Sequence, residues 1–191
     1  MAAPHGAATN TAYSAAFVLW VLAEAGIFAA TWRRAGNRSG DRGSYLAIVI
    51  GVFAAITISF DLPGLNPVLL PPGWSWVGIG LMVAGIALRV WAVATLGRYF
   101  SLRVTIQSDH RLVERGPYRF LRHPAYAGSL LTLLGVPLGD REPVGALLVL
   151  AIGLLAFGYR MRLEERALLG NLGDEYRAYM GRTWRVLPWV W

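Results

Sequence analysis

Five apolar stretches divide the chain, at about Tyr13–Trp32, Tyr45–Phe60, Trp74–Leu96, Pro124–Leu138 and Pro143–Tyr159. A helix that crosses a bilayer needs about 20 apolar residues, and fewer where protein or a thinned membrane takes the place of lipid. The first and third stretches meet that length, the second and fifth are marginal, and the fourth is short. Only "GDREP" separates the last two, so they predict a tight hairpin that crosses and returns. The pattern therefore predicts an all-α integral membrane fold of about five transmembrane helices, the last two a hairpin, followed by cytoplasmic C-terminal helices. It reads as one membrane domain, 1–191, with the first three spans in 13–97 and the polar blocks in 98–191.

The C-terminal stretch departs from this pattern. Leu163, Ala167, Leu168 and Leu172 keep a helical spacing against a polar face, which suits a helix at or under the membrane surface. Asp174 is placed as the N-cap of a second helix and Gly181 as its stop. The proline-rich "DLPGLNPVLLPPG" cannot be helical throughout and predicts an outer loop, with Trp74 and Trp76 at the interface and the terminal "WVW" as a second aromatic anchor. "MAAPHGAATNTAY" lacks the basic n-region of a signal peptide.

Composition agrees with the pattern: 55% of residues are apolar and 15% charged, with a mean hydropathy of +0.46. The chain has no cysteine, which removes disulfides, thiolate nucleophiles and Cys-based metal sites. It has no lysine either, so its net charge of +7 comes from arginine. A pI near 10.4 would suit a nucleic-acid binder, but the distribution of charge argues for topology instead. Four arginines (Arg33, Arg34, Arg38, Arg42) follow the first stretch, six lie from Arg98 to Arg122, and six from Arg160 to Arg185, whereas the opposite loops share one. The positive-inside rule then puts the N-terminus outside and the C-terminus in the cytoplasm, with the inner or plasma membrane of a prokaryote as the expected location. Glu24 and Arg89 are charges within apolar stretches, and a buried charge there demands a partner. We read them as a structural pair joining the first and third spans.

The polar side chains gather in two blocks, residues 96–128 and 160–188. The first holds His110, Tyr118, Arg122, His123 and Tyr126; the second holds Glu164 and Glu165. The hairpin would bring the two blocks together on one side of the membrane. Neither block has a Gly-rich phosphate cradle or a serine elbow, and the histidines lack HxxxH or HExxH spacing, so no metal is expected. Each residue also has a structural reading. Arg119 and Arg122 obey the positive-inside rule, His123 before Pro124 suits a helix N-cap, Tyr118 and Tyr126 suit the interface, and Glu164 and Glu165 can pair with Arg160, Arg162 or Arg166.

"GPYRFLRHPAYAG" followed by "EERALLGNLGDEYRAYMGRTWRVLP" resembles the integral-membrane methyltransferases of the isoprenylcysteine carboxyl methyltransferase type and their phospholipid-methylating relatives. The resemblance covers roughly Leu96 to Pro188 and makes 98–191 the cofactor-binding, catalytic half. It implies S-adenosylmethionine as cofactor, bound on the cytoplasmic side under the C-terminal helices. It places His110, Leu112, Val113, Tyr118, His123, Tyr126, Glu164 and Glu165 around the cofactor, with Arg122 beside the methyl acceptor and Arg122 and Glu165 as the catalytic pair. The implied partner is a lipophilic or lipid-linked acceptor, a carboxylate, amine, thiol or hydroxyl, reached from the membrane lipid. Two other readings stand beside it. One is an NADPH-dependent reductase of the sterol reductase type, which also uses an "RHPxYxG"-like block but carries Asn and Glu where this chain has Ala125 and Ser129. The other is a non-catalytic lipid-binding membrane protein.

Overall fold

The computed structural model describes residues 6–32, 50, 57, 68–100 and 112–188. Apart from residues 50 and 57, the expected second span lies outside the described residues, as do the arginines of 33–42, His110 and the terminal "WVW". Four long helices carry most of what is described: α1 (Ala7–Trp32), α2 (Trp74–Leu96), α3 (Pro124–Gly139) and α4 (Pro143–Leu172), followed by the short α5 (Asp174–Met180). Three of them, Ala7–Thr31, Trp74–Tyr99 and Pro143–Leu172, are long and apolar enough to cross a membrane. Their outward faces carry exposed apolar side chains such as Val18, Leu22, Trp76, Leu147 and Leu155, which is what a lipid solvent selects.

The predicted third span coincides with α2. Pro71, Pro72 and Gly73 precede it, and Gly97, at φ 57°, ends it by turning the chain into the left-handed region. The hairpin is also as expected: Asp140, Arg141 and Glu142 join α3 to α4, with Arg141 N–H donating to Leu138 at 3.0 Å and Glu142 N–H to Pro137 at 2.8 Å. The shortness of α3 has a packing explanation. Thirteen of its 16 residues are buried, so this helix is surrounded by protein and does not need the length that lipid would demand.

α2 and α3 run against each other through glycines. A Cβ at Gly128 would lie 2.6 Å from the Gly85 carbonyl, and one at Gly135 2.6 Å from the Gly78 carbonyl. Both pairs are seven residues apart on their helices, two turns, so the contact repeats along one face. Small residues are needed here because in lipid the helices associate by close van der Waals packing rather than by escape from water. On its other side α3 packs against α4 through Leu130, Leu133, Val149, Phe157 and Met161.

Two details differ from the sequence reading. α4 does not end at Tyr159. It continues without a break to Leu172, 30 residues in all, because no helix breaker intervenes and the polar turn at Arg160–Glu165 is stabilised by its own ion pairs. The N-cap of α5 is Gly173, at φ 53°, and Asp174 is the first helical residue; a positive φ of this kind is better served by glycine than by aspartate. The intramembrane pair is present as expected: Arg89 Nη2 donates to Glu24 Oε2 at 2.8 Å, tying α2 to α1.

Candidate functional site

The sequence "FLRHP" opens α3 in a way that frees His123 for work elsewhere. Pro124 takes the first helical position, where its missing N–H is no loss. His123 is the N-cap residue, but its side chain makes no capping hydrogen bond. The buried ring, 6% exposed, turns instead to α4. Its Nε2 lies 3.3 Å from Glu165 Oε1 and its Nδ1 3.7 Å from Glu164 Oε2.

Glu165, 3% exposed, is the hub. Arg122 Nε donates to its Oε1 at 3.0 Å. Arg185 grips both oxygens, Nε at 3.1 and 3.0 Å and Nη2 at 2.6 Å. A carboxylate this deep is stable only with such partners, and a planar guanidinium can hold two oxygens at once. The Arg122 guanidinium also donates through Nη1 to the carbonyls of Met180 (3.0 Å) and Thr183. Its Nη2 makes no hydrogen bond among the described residues.

Glu164 faces a second set of groups. Its Oε1 accepts from the Tyr126 hydroxyl at 2.5 Å and from Arg160 Nε at 3.1 Å. Arg160, one turn earlier on α4, is 1% exposed. The Tyr126 ring stacks over Phe157, with centroids 5.1 Å apart, and lies 5.7 Å from the ring of His123. Adjacent helical positions point about 100° apart, which is why the two neighbouring glutamates serve different arginines, Glu164 one and Glu165 two.

The strap after α5 closes the cluster. Arg122 N–H donates to Trp184 at 2.7 Å and His123 N–H to Arg185 at 2.9 Å, while Trp184 N–H donates to Phe120 at 3.0 Å. Trp184 and Leu121 thus pair in parallel. The Tyr179 hydroxyl reaches the carbonyls of Tyr118 (2.7 Å) and Leu121 (3.3 Å), fixing α5 on the 3₁₀ turn Gly116–Arg119. Beyond it, Arg182 Nη2 meets both oxygens of Glu114 at 2.6 Å.

Of the residues singled out in the sequence, Arg122, His123, Tyr126, Glu164 and Glu165 come together in one cluster. Tyr118 is its neighbour, buried against Ala92 and Ala125. Burial pushes its phenol above the ordinary value, with Tyr179 and Glu164 adding to the rise and Arg89 opposing it. Leu112 and Val113 are half-buried at the start of the segment leading to the 3₁₀ turn, and no hydrogen bond or ring contact joins them to the cluster. Arg160, which the sequence offers as one possible partner of the two glutamates, belongs to the cluster through Glu164; Tyr176, Tyr179 and Arg185 belong to it and are not singled out by the sequence. Arg185 reads as a topology signal, and the tyrosines of "DEYRAYM" as an amphipathic face. Tyr176 is 2% exposed; burial raises its phenol, Glu165 adds to the rise and Arg122 opposes it. Among the described residues, the cluster gathers three guanidiniums (Arg122, Arg160, Arg185) and two carboxylates, one more positive charge than negative before His123 is counted. Among the described residues, no group of three or more His, Cys, Asp or Glu is placed to hold a metal.

Sequence comparison places the same region in a known group. The model of the isoprenylcysteine carboxyl methyltransferase (ICMT) family matches residues 77–170. Protein-S-isoprenylcysteine O-methyltransferase A of Arabidopsis thaliana is 30% identical over 150 residues, which cover 76% of this chain and 73% of that protein. The chain belongs to the ICMT family. A further ICMT relative, the probable protein-S-isoprenylcysteine O-methyltransferase of Oryza sativa subsp. indica, is 30% identical over 118 residues; the match spans 61% of this chain and 62% of the rice protein. The fold agrees too. A solved structure of the eukaryotic intramembrane Ras methyltransferase ICMT superposes with a TM-score of 0.69 at 21% identity, covering 95% of this chain and 68% of that one. The ICMT match includes both glutamates and the "RHP" turn but ends before α5 and the strap.

Proposed function

We propose that this ICMT-family chain is a methyltransferase that uses S-adenosylmethionine to methylate a lipophilic acceptor at the membrane interface. The observation that carries this reading is the buried cluster on Glu165, with its excess positive charge and its unused hydrogen-bonding groups. The Nη2 of Arg122 and the hydroxyls of Tyr118 and Tyr176 make no hydrogen bond among the described residues. Glu164 Oε2 lies 3.7 Å from His123 Nδ1, beyond hydrogen-bond distance. These groups suit S-adenosylmethionine, which presents a carboxylate to a guanidinium, an ammonium to a carboxylate, and hydroxyls to either.

When bound, the cofactor supplies an electrophilic methyl group on a sulfonium, whose C–S electron pair leaves on sulfur as the acceptor attacks in line. The protein's part is alignment and exclusion of water, because a displacement of this kind needs no covalent nucleophile. Glu165 holds Arg122 and Arg185 in fixed orientations. Arg122 presents its remaining N–H edge to an anion, and the strap around Thr183–Val186 shields the site. A carboxylate acceptor would also need no proton removed. The names of the Arabidopsis and rice relatives point to an oxygen of an isoprenylcysteine and the family's name to its carboxyl group, and we take a lipid-linked carboxylate as the first acceptor to try. The arginine distribution supports a cytoplasmic position for the site.

Calorimetric titration of the detergent-purified chain with S-adenosylhomocysteine, with NADPH beside it, tests the reading. Saturable binding of the thioether, lost in Arg122→Met, is the expected result. Binding of NADPH alone, or of neither by folded protein, would overturn it.

A further inference from the structure

Arg89 lies seven residues before the end of α2 at Leu96, and so about 10 Å inside the site end of the bundle. A charge at that depth persists only with a partner, and Glu24 of α1 provides one. The pair by itself would fasten two helices and nothing more. The guanidinium, however, has a second arm. Its Nη1 crosses to α3 and donates to the carbonyl of Ala125 at 3.3 Å, an oxygen that also accepts from the Ser129 hydroxyl at 3.2 Å.

Ala125 is no neutral landing point. It lies between His123 and Tyr126, the two rings that α3 turns towards Glu164 and Glu165, and its side chain packs against Tyr118. We infer that Arg89 is a positioning residue for the candidate site. By holding Glu24 with one arm and the Ala125 carbonyl with the other, it fixes the first turn of α3, and with it the rings of His123 and Tyr126 against the carboxylates of α4. The charge of Arg89 is also felt at the Tyr118 phenol, so it acts on both sides of that turn. A lysine would retain the charge opposite Glu24, but a single ammonium on a flexible stem cannot fork between two helices.

The test uses the full chain in detergent and the variant Arg89→Lys. Amide hydrogen exchange is read at Tyr126 and Ala127, whose N–H groups bond the His123 carbonyl at 3.1 and 3.0 Å, and at Leu133 further along α3. The expected result is exchange about tenfold faster at Tyr126 and Ala127, with Leu133 unchanged. Wild-type exchange at the first two amides would overturn the inference, and so would a uniform rise along α2 and α3, which would make the pair a general brace. Titration with S-adenosylhomocysteine forms a second arm, which alone rests on the proposed methyltransferase activity; Arg89→Lys should weaken binding about fivefold. An analogue that fails to bind wild-type protein, with the local exchange pattern intact, would remove the methyltransferase reading and leave the positioning role standing.

Discussion

Glu164 and Glu165 are neighbours in sequence with opposite burdens. Glu165 takes hydrogen bonds from two arginines and faces His123, so its oxygens are fully engaged within the protein. Glu164 is partly exposed, and its Oε2 makes no hydrogen bond among the described residues. At the residue scale this predicts different failures. Glu165→Gln removes the buried charge that orients Arg122 and Arg185, and should lower stability by about 2 kcal/mol as two partly buried guanidiniums lose their counter-ion. Thermal unfolding in detergent reads that loss. Glu164→Gln takes the counter-ion from one buried guanidinium, Arg160, so it should lower the unfolding midpoint less than Glu165→Gln does while weakening S-adenosylhomocysteine at least about tenfold, as expected for a charged hydrogen bond made to a ligand. Tyr179→Phe strips two carbonyls of their donor and should cost about 1–2 kcal/mol, again visible in the unfolding midpoint.

At the scale of elements, the sequence read well where lipid or protein packing is the only influence on a segment. α2 was legible to the residue because, Arg89 aside, it is a long apolar run between a Pro-Pro-Gly stop and Gly97. α3 was legible because proline starts it and "GDREP" ends it. The Glu24–Arg89 pair was legible because a charge in hydrocarbon must find its opposite. α4 was misjudged at its end, since the switch from apolar to polar at Arg160 marks a change of surroundings and the helix itself carries on. The candidate site was half legible. Arg122, His123, Tyr126 and the two glutamates announce themselves as polar residues in apolar company. Arg185 and Tyr176 do not, because sequence shows an arginine's sign and not which carboxylate it will meet; Arg160 was legible only as one of three candidate partners of the glutamates. The glycine contact between α2 and α3 gives its own prediction. Gly85→Val would push side-chain atoms into the Gly128 carbonyl, 2.5 Å from the added Cβ, and should destabilise the chain by about 2–3 kcal/mol. Gly80→Ala, on the same helix with nothing within 4 Å of its Cβ, is the control and should leave the unfolding midpoint unchanged.

For the molecule as a whole, the helices that face lipid and the site that faces water are parts of one piece. The absence of native cysteine makes the orientation simple to measure. A single cysteine at Arg177, exposed on α5, should be labelled by an impermeant maleimide only from the cytoplasmic side, and one at Val144, exposed at the start of α4, only from the other. The reverse pattern would invert the assignment drawn from the arginines.

The unbroken α4 links these two scales. Thirty residues make a rod of about 45 Å, whereas the hydrocarbon layer is about 30 Å thick. Glu164 and Glu165 therefore ride on the same rigid element that spans the bilayer, roughly 32 Å from its far end. The depth of the carboxylates is a gauge reading of membrane thickness. In bilayers of longer acyl chains the rod must stand more upright and the carboxylates sink towards hydrocarbon; in shorter ones it tilts and they rise into the headgroups. A chain built this way would be tuned by the lipid it lives in as well as by the ligand it meets, with its affinity for a charged cofactor changing as the membrane thickens.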